Sequence, residues 1–312
     1  MPSFVQFLQH SGVFAAQSFM IVPRGRGFNL VCLRDSKDVH LSYDRNRLVV
    51  EDVRFEDVER VAQEYINTRY KEPRSQERDD QLLRLRTALY ATIRPEGHAR
   101  ALKVSANGTG IPELKATRGN IGIKLDVAIL QRKDFSIAFR FLQHLDQSGK
   151  LINATKWTPD DAPWFITRLN WIFGAQANIF FTPLDATWIP VQKALGPKVS
   201  RDDFRKYVVP WKRAGADLTC FLVRDYDAMA NEAAGQYLND EQVFVVVDQG
   251  NPPVFDYGEA FIGVMAHEVG HFLHHKRNMP GSGHHDRSGI LLSSGMESLS
   301  LDKQLVSNFN MW

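Results

Sequence analysis

The alternation of apolar and polar positions is sharpest at Ile121–Ile129. There Ile121, Ile123, Leu125, Val127 and Ile129 take every second place, which predicts a half-buried strand. Ile137, Phe139 and Phe141 repeat the period. The stretch TPDDAPWFITRLNWIFG then switches to helical spacing. Thr158 is placed to cap, Pro159 takes the first helical position, and two aspartates fill the first turn. Trp164, Phe165, Leu169, Ile172 and Phe173 share one broad face, and Gly174 is the expected stop. ANIFFT reads as a strand. Ser200 and Asp203 start a second helix that runs to about Lys212. LTCFLV and QVFVVVDQ are further strands, Asp256 or Tyr257 opens a third helix, and LSLDKQLVSNF forms a short terminal one.

Upstream, Phe28–Leu33 and Val39–Tyr43 read as short strands between charged turns. Asp57–Arg69 carries an apolar stripe of Val58, Val61, Ala62 and Ile66, and Gln81–Ile93 is similar; both are expected helices. Residues 105–120, SANGTGIPELKATRGN, are rich in Gly, Ser, Asn and Thr and mark the expected boundary. The expectation is an α+β protein: a β-rich N-terminal domain over residues 1–118, and a domain over 119–312 with helices packed on a mixed sheet.

Composition changes this picture little. At 312 residues, 44% hydrophobic and 24% charged, the chain has ample apolar material for a core. The net charge of +2 is spread among both signs. The basic stretch from Arg69 to Lys103 also holds Glu72, Glu77, Asp79, Asp80 and Glu96, so a solvated surface is expected and no nucleic-acid partner. Cys32 and Cys220 sit in apolar, strand-like runs and read as buried thiols. No apolar run is long enough to span a bilayer. The first residues lack a basic region ahead of their apolar part, so no cleaved signal peptide is expected. A cytoplasmic location, or export by a dedicated route, fits this reading.

Candidate chemistry centres on GVMAHEVGHFLHH, residues 263–275. On a helix, His267 and His271 lie four apart on one face and can offer two imidazole nitrogens to one ion. Glu268 follows the first histidine and can reach the ion's open position. Zinc there would lower the pKa of water, and the carboxylate would take its proton and pass it to a leaving amine. By chance, H-E-x-x-H arises in roughly one chain in a hundred. Val264, Met265, Val269, Phe272 and Leu273 place this one in a buried helix, and Gly270 suggests close packing. His274 and His275 read as solvent-facing residues at the helix end, favoured by its dipole. No role is assigned to His10, His40, His98 or His144.

HEVGH resembles the zincin-type metallopeptidases, and NWIFGAQANIFFT resembles the helix and edge strand of that fold; the likeness covers roughly residues 119–312. The short metzincin spacing fails, because residue 277 is Arg and residue 274 is His. A metzincin-like arrangement with a lengthened loop would instead draw its third ligand from His285, followed by Asp286, or from His284; Glu297 is the alternative of the two-histidine-plus-glutamate kind. Leu292 stands where the spacing from His284 would put a methionine, and Met296 lies four further on. The resemblance also implies that Ala177–Thr182 binds an extended substrate by strand addition.

The sequence therefore leads to these expectations: one catalytic zinc, Zn2+, on His267, His271 and one of His285, His284 or Glu297; Glu268 as general base and acid; and a peptide or protein substrate. A hydrolase acting on cell-wall peptides, as in a secreted effector, or a binding protein with a structural zinc, are the alternatives.

Overall fold

The computed structural model describes all residues except 7–17, 26, 70–75, 94–97, 193–198, 225, 228–234, 249–256 and 276–312. Its described part is α+β, mostly strands in several sheets with a few helices. The chain separates into two compact units. The first holds Met1–Lys133 with the returning stretch Phe173–Asn178; the second holds Asp134–Ile172 and the described residues from Ile179 to His275.

In the first unit the strands are β1 (Ser3–Gln6), β2 (Phe19–Pro23), β3 (Phe28–Arg34), β4 (His40–Tyr43), β5 (Leu48–Asp52), β6 (Arg100–Ala106), β7 (Glu113–Arg118) and β8 (Ile121–Leu130). They form two four-stranded sheets, ordered β1-β3-β6-β5 and β2-β8-β7-β4. Helices α1 (Val58–Arg69) and α2 (Gln76–Thr92) cover the outer face of the first sheet. Strand β3 shows the logic. Phe28, Leu30 and Cys32 point to the helices, while Val31 and Leu33 point into the core between the sheets. Because both faces are covered, β3 is buried from Phe28 to Leu33, with Asn29 as the polar residue within that run.

The expected boundary at residues 118 and 119 falls inside a hairpin. Arg118 pairs with Ile121, and Gly119 turns the chain at φ +59°. The Gly- and Asn-rich composition there reports tight turns within one unit, not a linker.

The second unit is built on β9 (Lys133–Leu145), β10 (Leu151–Ala154), β11 (Ile179–Gln192), β12 (Val199–Ser200), β13 (Leu218–Val223), β14 (Tyr226–Asp227), β15 (Gly235–Leu238) and β16 (Val243–Val247). Its helices are α3 (Ala162–Ala177), α4 (Arg201–Asp203, continued by irregular turns to Trp211) and α5 (Tyr257–His275). The main sheet runs β10-β9-β13-β16-β15, and β11 also pairs with β9. Strands β9, β13 and β16 are parallel, while β10 and β15 close the two ends antiparallel. Buried parallel strands need apolar residues on both faces, and LTCFLV and VFVVV supply them.

Register assigns the faces. Phe139, Cys220, Phe244 and Tyr237 form one row across four strands; Phe141, Leu222, Val246 and Gly235 form the next. Helices α3 and α5 pack on this side: Phe139 meets Phe165, and both Phe135 and Tyr237 meet Phe272. The opposite side holds Phe221, Val223, Val243 and Val245 under Phe204 and Val208. Helix α3 starts as expected, with the Thr158 amide and hydroxyl both donating to Asp161 at 2.7 and 2.9 Å. It does not stop at Gly174, which is buried in the last turns before Ala177.

One polar contact ties the first unit's two sheets. The buried Asn29 amide donates to the Ile21 carbonyl at 2.9 Å, and its oxygen accepts from the Tyr65 hydroxyl at 3.2 Å. The same oxygen accepts from the Leu30 amide at 2.9 Å, so Asn29→Ala removes three hydrogen bonds at once. It is expected to cost about 2 kcal/mol, because each group left unsatisfied carries its own desolvation penalty. Denaturant unfolding of the variant, read at its midpoint, checks this.

Candidate functional site on helix α5

Helix α5 is apolar almost all the way round. Phe261, Ile262, Met265, Ala266, Val269, Phe272 and Leu273 are buried, as a helix wedged between other layers requires. Phe261 sits against Trp157 and Phe165, with ring centroids 4.8 and 5.6 Å away. Phe272 anchors the other end through Phe135 and Tyr237, at 5.5 and 6.3 Å. The helix is thus pinned at both ends, and between the pins it carries its polar residues into the interior.

Those residues are His267, Glu268 and His271. His267 and Glu268 are buried, and His271 is half-buried. The two imidazoles approach edge to face, and their Nε2 atoms lie 3.0 Å apart. At that distance one ring can donate its N–H to the other. Two lone pairs can also serve one cation, since donors about 2.0–2.1 Å from a tetrahedral ion stand roughly 3.3 Å from each other. Two nitrogens at this spacing make a ligand pair and not a complete metal site.

Glu268 faces another way. With Val264, one turn earlier, it looks onto strand β15, where it accepts a hydrogen bond from the main-chain amide of Tyr237. Burial pushes its carboxyl up to about 8, against the opposing pull of that amide. Burial also raises the Cys220 thiol well above its usual range, and the charge of Glu268 adds to the effect.

The sequence expectations fare unevenly. His267, Glu268 and His271 come together on α5. His274 is buried, contrary to the expected solvent exposure of the helix end. His284, His285 and Glu297 lie outside the described residues, as do Asp286, Met296 and the expected terminal helix. The strand proposed for substrate, Ala177–Thr182, belongs partly to β11, which pairs with β9. The strand at the sheet edge beside Glu268 is β15. Sequence reading missed it: GQYL has four residues, begins with glycine and shows no alternation.

The expected kinship with zincin-type metallopeptidases, metzincin-like with a lengthened loop, is corrected. No protein-family model matches the chain, and no curated protein matches it. Among the described residues, no group of three or more His, Cys, Asp and Glu side chains could hold a metal ion. The physical reason is local: the sheet rows under α5 supply aromatic and aliphatic groups, with Cys220 fully buried among them. A short histidine-glutamate motif alone does not carry a family assignment.

The raised carboxyl makes a pH prediction. A folded-state value above the unfolded one favours the protonated form in the fold. That contribution is complete below about 4.5 and is lost as pH rises through about 8. Metal-free wild type should therefore lose stability relative to Glu268→Gln over this window, by on the order of a few kcal/mol at its upper end. Melting temperatures of both proteins across the window test it; parallel curves would refute it.

Proposed function

We propose that this protein is a zinc-dependent hydrolase acting on peptide bonds, with its chemistry on helix α5. The observation that carries this reading is the approach of the His267 and His271 Nε2 atoms to 3.0 Å beside a buried glutamate. A third ligand would come from outside the described residues. His285, His284 and Glu297 are the candidates, as the sequence already had it.

A zinc ion bound there supplies Lewis acidity to a carbonyl and acidifies water next to it. The chain's own residues do the rest. His267 and His271 would hold the ion through their ring nitrogens, and would do so only as neutral imidazoles. Glu268 would accept the proton of the attacking water on the carboxylate oxygen that the Tyr237 amide leaves free. It then delivers that proton to the amine nitrogen as the C–N bond breaks. Its burial supports this role, because a carboxyl kept out of water can carry a proton near neutral pH. The half-buried His271 leaves one side of the cluster open to solvent.

The test separates ligand from base. Glu268→Gln should keep zinc stoichiometry, measured by atomic emission, and lower kcat on a quenched-fluorescent peptide library roughly a hundred- to ten-thousandfold. His267→Ala and His271→Ala should lose both zinc and activity. Full activity in Glu268→Gln, or a wild type that takes up no zinc at pH 7.5, would end the hydrolase reading.

A further inference from the structure

We propose that Gly235 and the main-chain amide of Tyr237 form a positioning clamp for Glu268, on the reading above that this carboxylate is the general base. Strand alternation turns residues 235 and 237 toward α5, while Leu238 joins the core on the opposite side. On the helix, Val264 and Glu268 stand four apart and face the strand together. The contact between them is too close for any side chain at 235. A Cβ there would lie 2.7 Å from Val264 Cγ1 and 3.0 Å from both Cγ and Oε1 of Glu268. Glycine lets the strand come down onto the helix, and that approach brings the Tyr237 amide to the carboxylate.

The two halves of the clamp have separate duties. The missing side chain at 235 sets the depth of Glu268, and the amide of Tyr237 sets the direction of its carboxylate. Neither group touches substrate in this scheme. Both act through Glu268 and are positioning elements, held on a strand of the main sheet where small displacements are resisted.

Val264 makes the test possible. Its branched side chain is stiff on a helix and cannot swing clear of a new methyl group. Gly235→Ala should therefore lower both the melting temperature and kcat, leaving KM within about twofold. In Gly235→Ala/Val264→Ala the 2.7 Å clash disappears while the two contacts to Glu268 remain. Its melting temperature should return to that of Val264→Ala alone, with kcat still down by about tenfold or more. A merely structural glycine would recover both. A second arm needs no activity: in the metal-free full chain, hydrogen exchange at the Tyr237 amide should speed up about tenfold or more in Glu268→Ala, with Gln236 unchanged. Unaltered exchange at Tyr237, or a double variant with restored kcat, would overturn the clamp. If the wild type hydrolyses no peptide, the functional reading falls and the exchange arm alone decides the clamp.

Discussion

Much of the second unit depends on how closely strand β15 approaches helix α5. A helix usually packs on a sheet with a layer of side chains between them. At Gly235 that layer is missing, and the Val264 and Glu268 side chains meet bare backbone. The approach could not occur in the middle of the sheet, where Val246 and Leu222 fill the corresponding positions. It occurs at the end strand, which among the described residues pairs with β16 alone and has an outward-facing amide to satisfy. The Glu268 carboxylate satisfies it. One geometric concession thus covers part of a sheet edge and buries a carboxyl.

That burial is costly, and the rest of the unit bears the cost. A carboxyl held away from water loses hydration that a single amide does not replace, and its preference for the proton records the imbalance. The helix stays in place because its ends are fixed by aromatic contacts, to Trp157 and Phe165 at one end and to Phe135 and Tyr237 at the other. Burial of these rings outweighs the local penalty by a wide margin. The rows of the parallel strands give the helix a continuous apolar bed, and the polar residues sit between its two anchored ends. Cys220 belongs to this bed, buried and inert as a nucleophile.

Elements set by local chemistry were legible in the sequence. Thr158 and Asp161 announced the start of α3, Ser200 and Asp203 that of α4, and the alternation from Ile121 announced β8. The three polar residues of α5 were visible because helical spacing needs no tertiary information. What could not be read depended on partners far away in the chain. Strand β15 is defined by β16 and by the helix above it, so its four residues carry no pattern of their own. Gly119 sits in a hairpin turn and Gly110 bridges to Ile129 within the first unit, but their composition matches that of a linker. Gly174 lies inside α3, where burial of the last turns outweighs the helix-breaking tendency of glycine. His274 was misplaced for a related reason: a helix end is exposed only if nothing covers it.

The same distinction bears on the motif itself. Two histidines and a glutamate at helical spacing follow from sequence alone, and so does the sharing of one face of α5 by His267 and His271. Family kinship does not follow, because kinship is a property of whole chains, and none matches. What the fold adds is the unequal treatment of the three groups. The histidines turn toward each other, and the glutamate turns toward the sheet edge, held by a backbone amide and shielded from solvent. The close approach at Gly235 and the amide of Tyr237 hold the carboxylate on that side, out of the space between the two rings.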